Sequence, residues 1–141
     1  MSNIADLSAE TALQEALLAV FSADATLVQL LGDPVRVMDV AASAPSFPFI
    51  EIARHETRSR SGDQVEAHEH VIDLRVLTRW NGRGEARTLL GELRRVIDSA
   101  DWPVGTWHVV YCHAVYSDVL ALRDGRTYRG VLRIRAMTQR A

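Results

Sequence analysis

The chain has no lysine: all sixteen of its basic residues are arginine. A GC-rich coding sequence accounts for such a bias, yet each guanidinium brings a planar fork of donors that suits interfaces. The absence also disqualifies the one stretch that looks like a phosphate loop. Asn81-Gly82-Arg83-Gly84 lacks the lysine and the Ser/Thr that such a loop needs, and reads as a turn leading into a helix. Cysteine is reduced to Cys112, which excludes an internal disulfide and suits a reducing cytoplasm. The longest apolar run, residues 16–21, is far too short to cross a bilayer. No basic flank precedes an apolar run near the start, so no secretory signal is expected. A Gly-x-Ser-x-Gly elbow, a dinucleotide fingerprint, repeats and low-complexity tracts are all missing.

What is present has the length of one domain, residues 1–141, large enough to bury its own core. A formal net charge of −2 gives no reason to expect nucleic acid or an anionic membrane as the main partner. The charges are nevertheless sorted along the chain. Residues 1–33 carry Asp6, Glu10, Glu15, Asp24 and Asp33 and no basic residue. Residues 123–141 carry Arg123, Arg126, Arg129, Arg133, Arg135 and Arg140 against Asp124 alone. These two ends either neutralise each other within one subunit or meet between subunits.

The closing segment shows this charge on a strand pattern. One face carries Tyr128, Gly130, Leu132, Ile134 and Ala136, and the other Arg129, Val131, Arg133, Arg135 and Met137. Such a strand covers a core on one side and offers charge on the other. Upstream, Ser8 caps a helix with Leu13, Ala16, Leu17, Val20 and Phe21 at three-to-four spacing, and Asp24 caps a second over 25–31 that Gly32 and Pro34 stop. Residues 35–38 read as a short strand and 41–48 as a loop stiffened by two prolines. Residues 49–57 read as a strand with Ile50, Ile52 and Arg54 on one face, followed by a hairpin tip over 58–64. A long strand over 65–80 puts His68, His70, Ile72, Leu74, Val76 and Thr78 on one face, forming an extended hairpin with its predecessor. Ala86, Leu89, Leu90, Leu93, Val96, Ile97 and Ala100 keep one stripe of a long helix ended by Asp101-Trp102-Pro103. Residues 106–115 and 116–123 read as strands, with an Asp124-Gly125 hairpin turn into the closing segment. The fold class is α+β: an antiparallel sheet with the long helix and the N-terminal helix packed on one face, plus an extended β-hairpin.

Candidate chemistry is sparse. His68 and His70 have a spacing that suits two ligands of one metal, and His55, Glu66 or His113 would have to supply a third. A polar hairpin tip is the favoured reading of that pair. Cys112 and His113 are adjacent on a strand, point to opposite faces and cannot share a proton, so Cys112 reads as a small buried hydrophobe. Arg58, Arg60, Arg75, Arg79, Arg129, Arg133 and Arg135 resemble a nucleic-acid footprint only superficially. Carboxylates at Glu56, Asp63, Glu66, Glu69 and Asp73 interrupt them, and no aromatics are interleaved for stacking. Trp80, Trp102 and Trp107 flank element ends, where core and interface anchoring are both ordinary roles.

The ordered set of segments resembles the tail-completion (tail terminator, neck) proteins of tailed bacteriophages, prophages and gene transfer agents. It runs from Ala12-Leu13-Gln14-Glu15-Ala16-Leu17 and Ser22-Ala23-Asp24-Ala25 through Leu30-Leu31-Gly32, Arg36-Val37-Met38-Asp39 and Phe47-Pro48-Phe49-Ile50. It continues in His70-Val71-Ile72-Asp73-Leu74-Arg75-Val76 and Gly82-Arg83-Gly84-Glu85-Ala86, and ends in Tyr128 to Ala136. It departs at Thr78-Arg79-Trp80, where a serine near the aromatic is more usual.

The resemblance implies a structural protein with no catalytic residues, cofactor or metal. It implies a ring, usually six-fold, that caps the last tail-tube ring and presents a surface to the head-side connector or stopper protein. Its implied partners are copies of itself, the tail-tube protein and that connector, with DNA only in passage through the lumen and no membrane. Its implied location is the cytoplasm during assembly and then the neck of the particle. Within that picture Arg129, Arg133, Arg135, Arg75 and Arg79 are candidates for one side of a subunit or ring interface, and Asp6, Glu10 and Glu15 for the other. The tip bearing Arg58, Arg60, Asp63 and Glu66 is a candidate for contact with a neighbouring ring or the lumen. The alternatives are another head–tail connector protein and a metal-dependent enzyme using His68 and His70.

Overall fold

The computed structural model describes residues 8–38, 46–79, 81–103 and 105–141. Asp6, Trp80 and most of the proline-stiffened loop lie outside them. Helix α1 (Ala9–Ser22) starts where the Ser8 hydroxyl accepts the Thr11 N–H at 3.1 Å, and it buries Ala9, Leu13, Leu17 and Phe21 as one stripe. Helix α2 (Ala25–Leu31) begins under the Asp24 carboxylate, which accepts the Leu27 N–H at 3.1 Å. It ends at Gly32, whose φ of +93° is open to glycine without strain. Helix α3 (Gly82–Ser99) buries Ala86, Leu89, Leu90, Leu93, Val96 and Ile97, and it starts within the glycine-rich turn, at Gly82.

Five strands form one sheet: β1 (Val37–Met38), β2 (Phe49–Ser59), β3 (Ala67–Arg79), β4 (Trp107–Ala121) and β5 (Thr127–Arg140), in the order β1-β2-β3-β5-β4. All pairs are antiparallel except β1–β2, where two residues add a parallel edge. The three helices pack on one face. There Leu13, Leu17, Phe21, Leu27 and Leu31 meet Leu89, Leu93 and Ile97 above Ile50, Ile72, Leu74, Val76, Leu132 and Ile134. At roughly 1.5–3 kcal/mol per buried aliphatic side chain, this single cluster is the main source of stability. Gly130 lets α3 come close to the sheet: a Cβ there would lie 3.0 Å from Leu90 Cδ1.

Three bulges alter what alternation alone predicts. Ala53 is an extra residue between Ile52 and Arg54 in the β2–β3 register. Arg54 therefore turns to the face opposite Ile50 and Ile52, correcting the expectation that the three share a face, and His55 turns inward. Val110 and Val115 are the extra residues on β4, which runs unbroken where two segments were expected. β2 also continues to Ser59, so Arg58 is a strand residue opposite Glu69 rather than part of the turn.

Candidate functional site: the uncovered face of the sheet

The strand face turned away from the helices has no element over it among the described residues. On β5 the alternation is as read: Gly130, Leu132, Ile134 and Ala136 are buried, while Arg129, Val131, Arg133 and Met137 are half-buried and Arg135 is exposed. β3 lays Glu69, Val71, Asp73, Arg75, Leu77 and Arg79 beside them. The result is a broad mosaic of arginine, carboxylate and half-buried aliphatic side chains.

Most arginines on this face are already paired within the subunit. Arg133 grips Asp73 with both Nε (2.8 Å) and Nη2 (3.3 Å), and its guanidinium lies 5.5 Å from the Tyr116 ring centre. Arg75 reaches Glu51 at 3.4 Å. Arg79 donates to Thr127 Oγ1 at 3.0 Å, covers the Phe47 ring at 4.0 Å and stands 3.9 Å from Asp124. It thus ties β3 to the β4–β5 turn. There the Thr127 hydroxyl, then the Arg126 and Thr127 N–H groups, hold the Asp124 carboxyl down to about 2. Arg129 has a buried Nε with no hydrogen-bond partner among the described residues. Arg135 is exposed, beside the stacked pair Tyr111 and His113. These solvent-accessible pairs add little stability individually, so their main effect is to hold charges in place.

Glu10, Glu15 and Asp24 lie elsewhere. Glu10 and Glu15 sit on α1 in the helix layer and form no ion pair with these arginines among the described residues. Asp24 pairs instead with Arg95 of α3 at 2.9 Å, and that hydrogen bond holds its carboxyl below the usual range. Arg133 and Arg75 find their carboxylates on neighbouring strands.

At the hairpin end, Arg58 pairs with Glu56 at 3.0 Å and Arg60 with Glu69 at 3.4 Å, while Asp63 is exposed in the turn. Glu66 accepts from Arg140 Nε at 2.9 Å, which depresses its carboxyl pKa, and Arg140 in turn covers Trp107 at 4.5 Å. The β5 end is thereby fastened to the base of the tip.

The histidines part company. His68 faces Glu66 at 3.3 Å and meets the Trp107 ring edge-on. His70 is fully buried, with Nδ1 2.8 Å from His55 Nε2 and Nε2 2.8 Å from Thr138 Oγ1. Gln14 of α1 completes the row, its amide nitrogen 3.0 Å from His55 Nδ1. Among the described residues no group of three or more His, Cys, Asp or Glu side chains is arranged to hold a metal ion. Burial, then the adjacent His55, pushes the His70 pKa down to about 4. Cys112 faces the core and burial pushes its thiol up to about 12, while His113 lies on the other face.

A paired, rigid and uncovered sheet face is suited to contact rather than chemistry, and comparison with known proteins agrees. The model of the tail completion protein gp17 family matches residues 15–139. The chain belongs to that family. As a tail completion protein it is a structural component of a phage-type tail and neck, not an enzyme. Among solved structures it is similar to a chain of the virion of a native gene transfer agent particle. The two share 20% sequence identity at a TM-score of 0.79, over 94% of this chain and 99% of the other, which shows a common fold. No curated protein matches the chain.

The His55–His70 contact in this tail completion protein was not visible in the sequence. It depends on the Ala53 bulge, which alternation does not reveal. The only available signal was the paucity of reasons for a histidine on the same strand face as Ile72 and Leu74.

Proposed function

We propose that this tail completion protein is a tail terminator: a closed six-fold ring that caps the tail tube and joins it to the head-side connector. The observation that carries this reading is the uncovered face of β3 and β5, where arginine and carboxylate alternate with half-buried Val71, Leu77, Val131 and Met137. Interfaces between independently folded proteins have this mixed character, with arginine enriched and apolar area near that of ordinary surface. Pairs such as Arg133–Asp73 fix the charges beforehand, so docking a tail-tube ring or a connector costs little side-chain ordering. The tip of the β2–β3 hairpin, with Arg60, Asp63 and Glu66, supplies a second, axial contact. DNA passes through the lumen without sequence readout.

Arg135→Glu, alone and with Arg133→Glu, tests this. The variants should keep the circular dichroism of the parent and lose co-sedimentation with tail tubes or connector. Particles assembled at parental yield with the double variant would refute the role of this face. Cryo-EM of assembled particles places the chain: density on the last tail-tube ring supports a terminator, and density only at the portal side would make it another neck protein.

A further inference from the structure

Among the described residues the sheet has two open edges, on opposite sides of the subunit. β1 pairs with β2 only at Ile50 and Glu51, so residues 54–59 have no strand beyond them among the described residues. β4 ends the strand order on the other side. The ladder fixes which backbone groups are spare. Arg60 N–H donates inward to Ala67 O at 2.8 Å, so by alternation His55, Thr57 and Ser59 point their N–H and C=O outward. Leu122 N–H donates inward to Thr127 O at 2.8 Å, so Ser117, Val119 and Ala121 point outward on β4. The outward Val119 N–H is taken up by the Asp118 carboxylate at 2.8 Å, a local substitute for a neighbouring strand.

Long exposed edges are usually blunted. The bulges at Val110 and Val115 do this for the first part of β4, but residues 116–121 pair with β5 in unbroken register. That stretch also carries Tyr116 and Leu120, which together with Val110 and Val115 place four of the exposed large hydrophobic side chains on this one strand. It is an edge shaped to receive a strand.

We propose that a second copy of this chain adds its β2 stretch 54–59 to the β4 stretch 116–121, continuing the sheet from subunit to subunit. This rests on the ring reading above. Within one sheet β2 and β4 run in opposite directions, so a neighbour in the same orientation presents its β2 antiparallel to β4. Outward residues must face outward residues, so the register moves in steps of two. The register centred on Thr57 opposite Val119 engages all three spare residues of each edge. It also sets Arg58 against Asp118, Ser59 against Ser117 and Arg60 against the Tyr116 ring. The contact joins two different surfaces, so it repeats head to tail and ends only when the ring closes.

A Ser59→Cys/Ser117→Cys variant tests the pairing. Within one chain these strands are three spacings apart, about 14 Å, and a disulfide reaches no further than about 7 Å between Cα atoms. Any disulfide is therefore between copies, and the buried Cys112 does not compete. Mild oxidation should give a ladder of multimers ending at the ring, whereas each single variant stops at a dimer. Arg58→Asp or Asp118→Arg should each weaken assembly about tenfold, and the double exchange should restore it. A parent chain that forms discrete rings by native mass spectrometry, yet gives no ladder and no rescue, overturns the edge pairing and leaves the ring intact. A parent chain that stays monomeric both alone and on tail tubes removes the ring and this pairing with it.

Discussion

Acid should unfold this protein earlier than its carboxylates require, and His70 is the reason. The row Gln14–His55–His70–Thr138 is satisfied when both imidazoles are neutral with Nδ1 accepting: the Gln14 amide donates to His55, His55 Nε2–H to His70, and His70 Nε2–H to Thr138. A proton added at His70 Nδ1 faces another N–H and sits at 0% exposure. The folded state accordingly holds the His70 pKa down to about 4 from 6.5. The unfolded chain binds that proton more readily, so stability is complete above the unfolded value and is lost as pH falls through 6.5 towards 4. The shift corresponds to about 3 kcal/mol when complete, and about 2 kcal/mol by roughly pH 5. His55, lowered by burial, adds in the same direction. Depressed carboxylates such as Asp124 and Glu66 take effect only below their unfolded values near 4, so the window above about pH 5 belongs to the histidines. Urea melts at constant m, near pH 7 and near pH 5, should show the loss in the parent chain. His70→Gln, less stable at neutral pH, should lose at least about 1 kcal/mol less over the same interval. A parent whose midpoint does not move across that window, or a variant that falls equally, refutes the argument.

Two further outcomes follow from packing. Gly130→Val should destabilise by about 1–3 kcal/mol, because its side chain enters the space of Leu90, whose Cδ1, Cγ and Cδ2 lie 3.0, 3.1 and 3.3 Å from a Cβ there. Adding Leu90→Ala should recover part of that loss, and chemical denaturation reads the non-additivity. Cys112, 5% exposed with its thiol pushed up to about 12, should resist a disulfide reagent until the protein unfolds, so labelling should follow the unfolding transition.

Much of the architecture was legible in the sequence because it rests on local periodicity. The α1 and α2 caps, the α3 stripe and the two faces of β5 all depend on residues within a few positions of one another. The absence of catalytic motifs pointed away from an enzyme, and the order of its segments pointed to the family that the match over residues 15–139 establishes. Tertiary structure decided what periodicity could not. A bulge is one extra residue in a ladder, set by the partner strand, and the Ala53 bulge alone brings His55 under α1 against His70. Likewise, sequence sorted the charges into an acidic start and a basic end, but strand pairing chose their partners. Arg133 met Asp73 because β5 lies beside β3, and Glu10 and Glu15 stayed in the helix layer. Which charges neutralise one another is a question of register between distant segments, and only the folded sheet answers it.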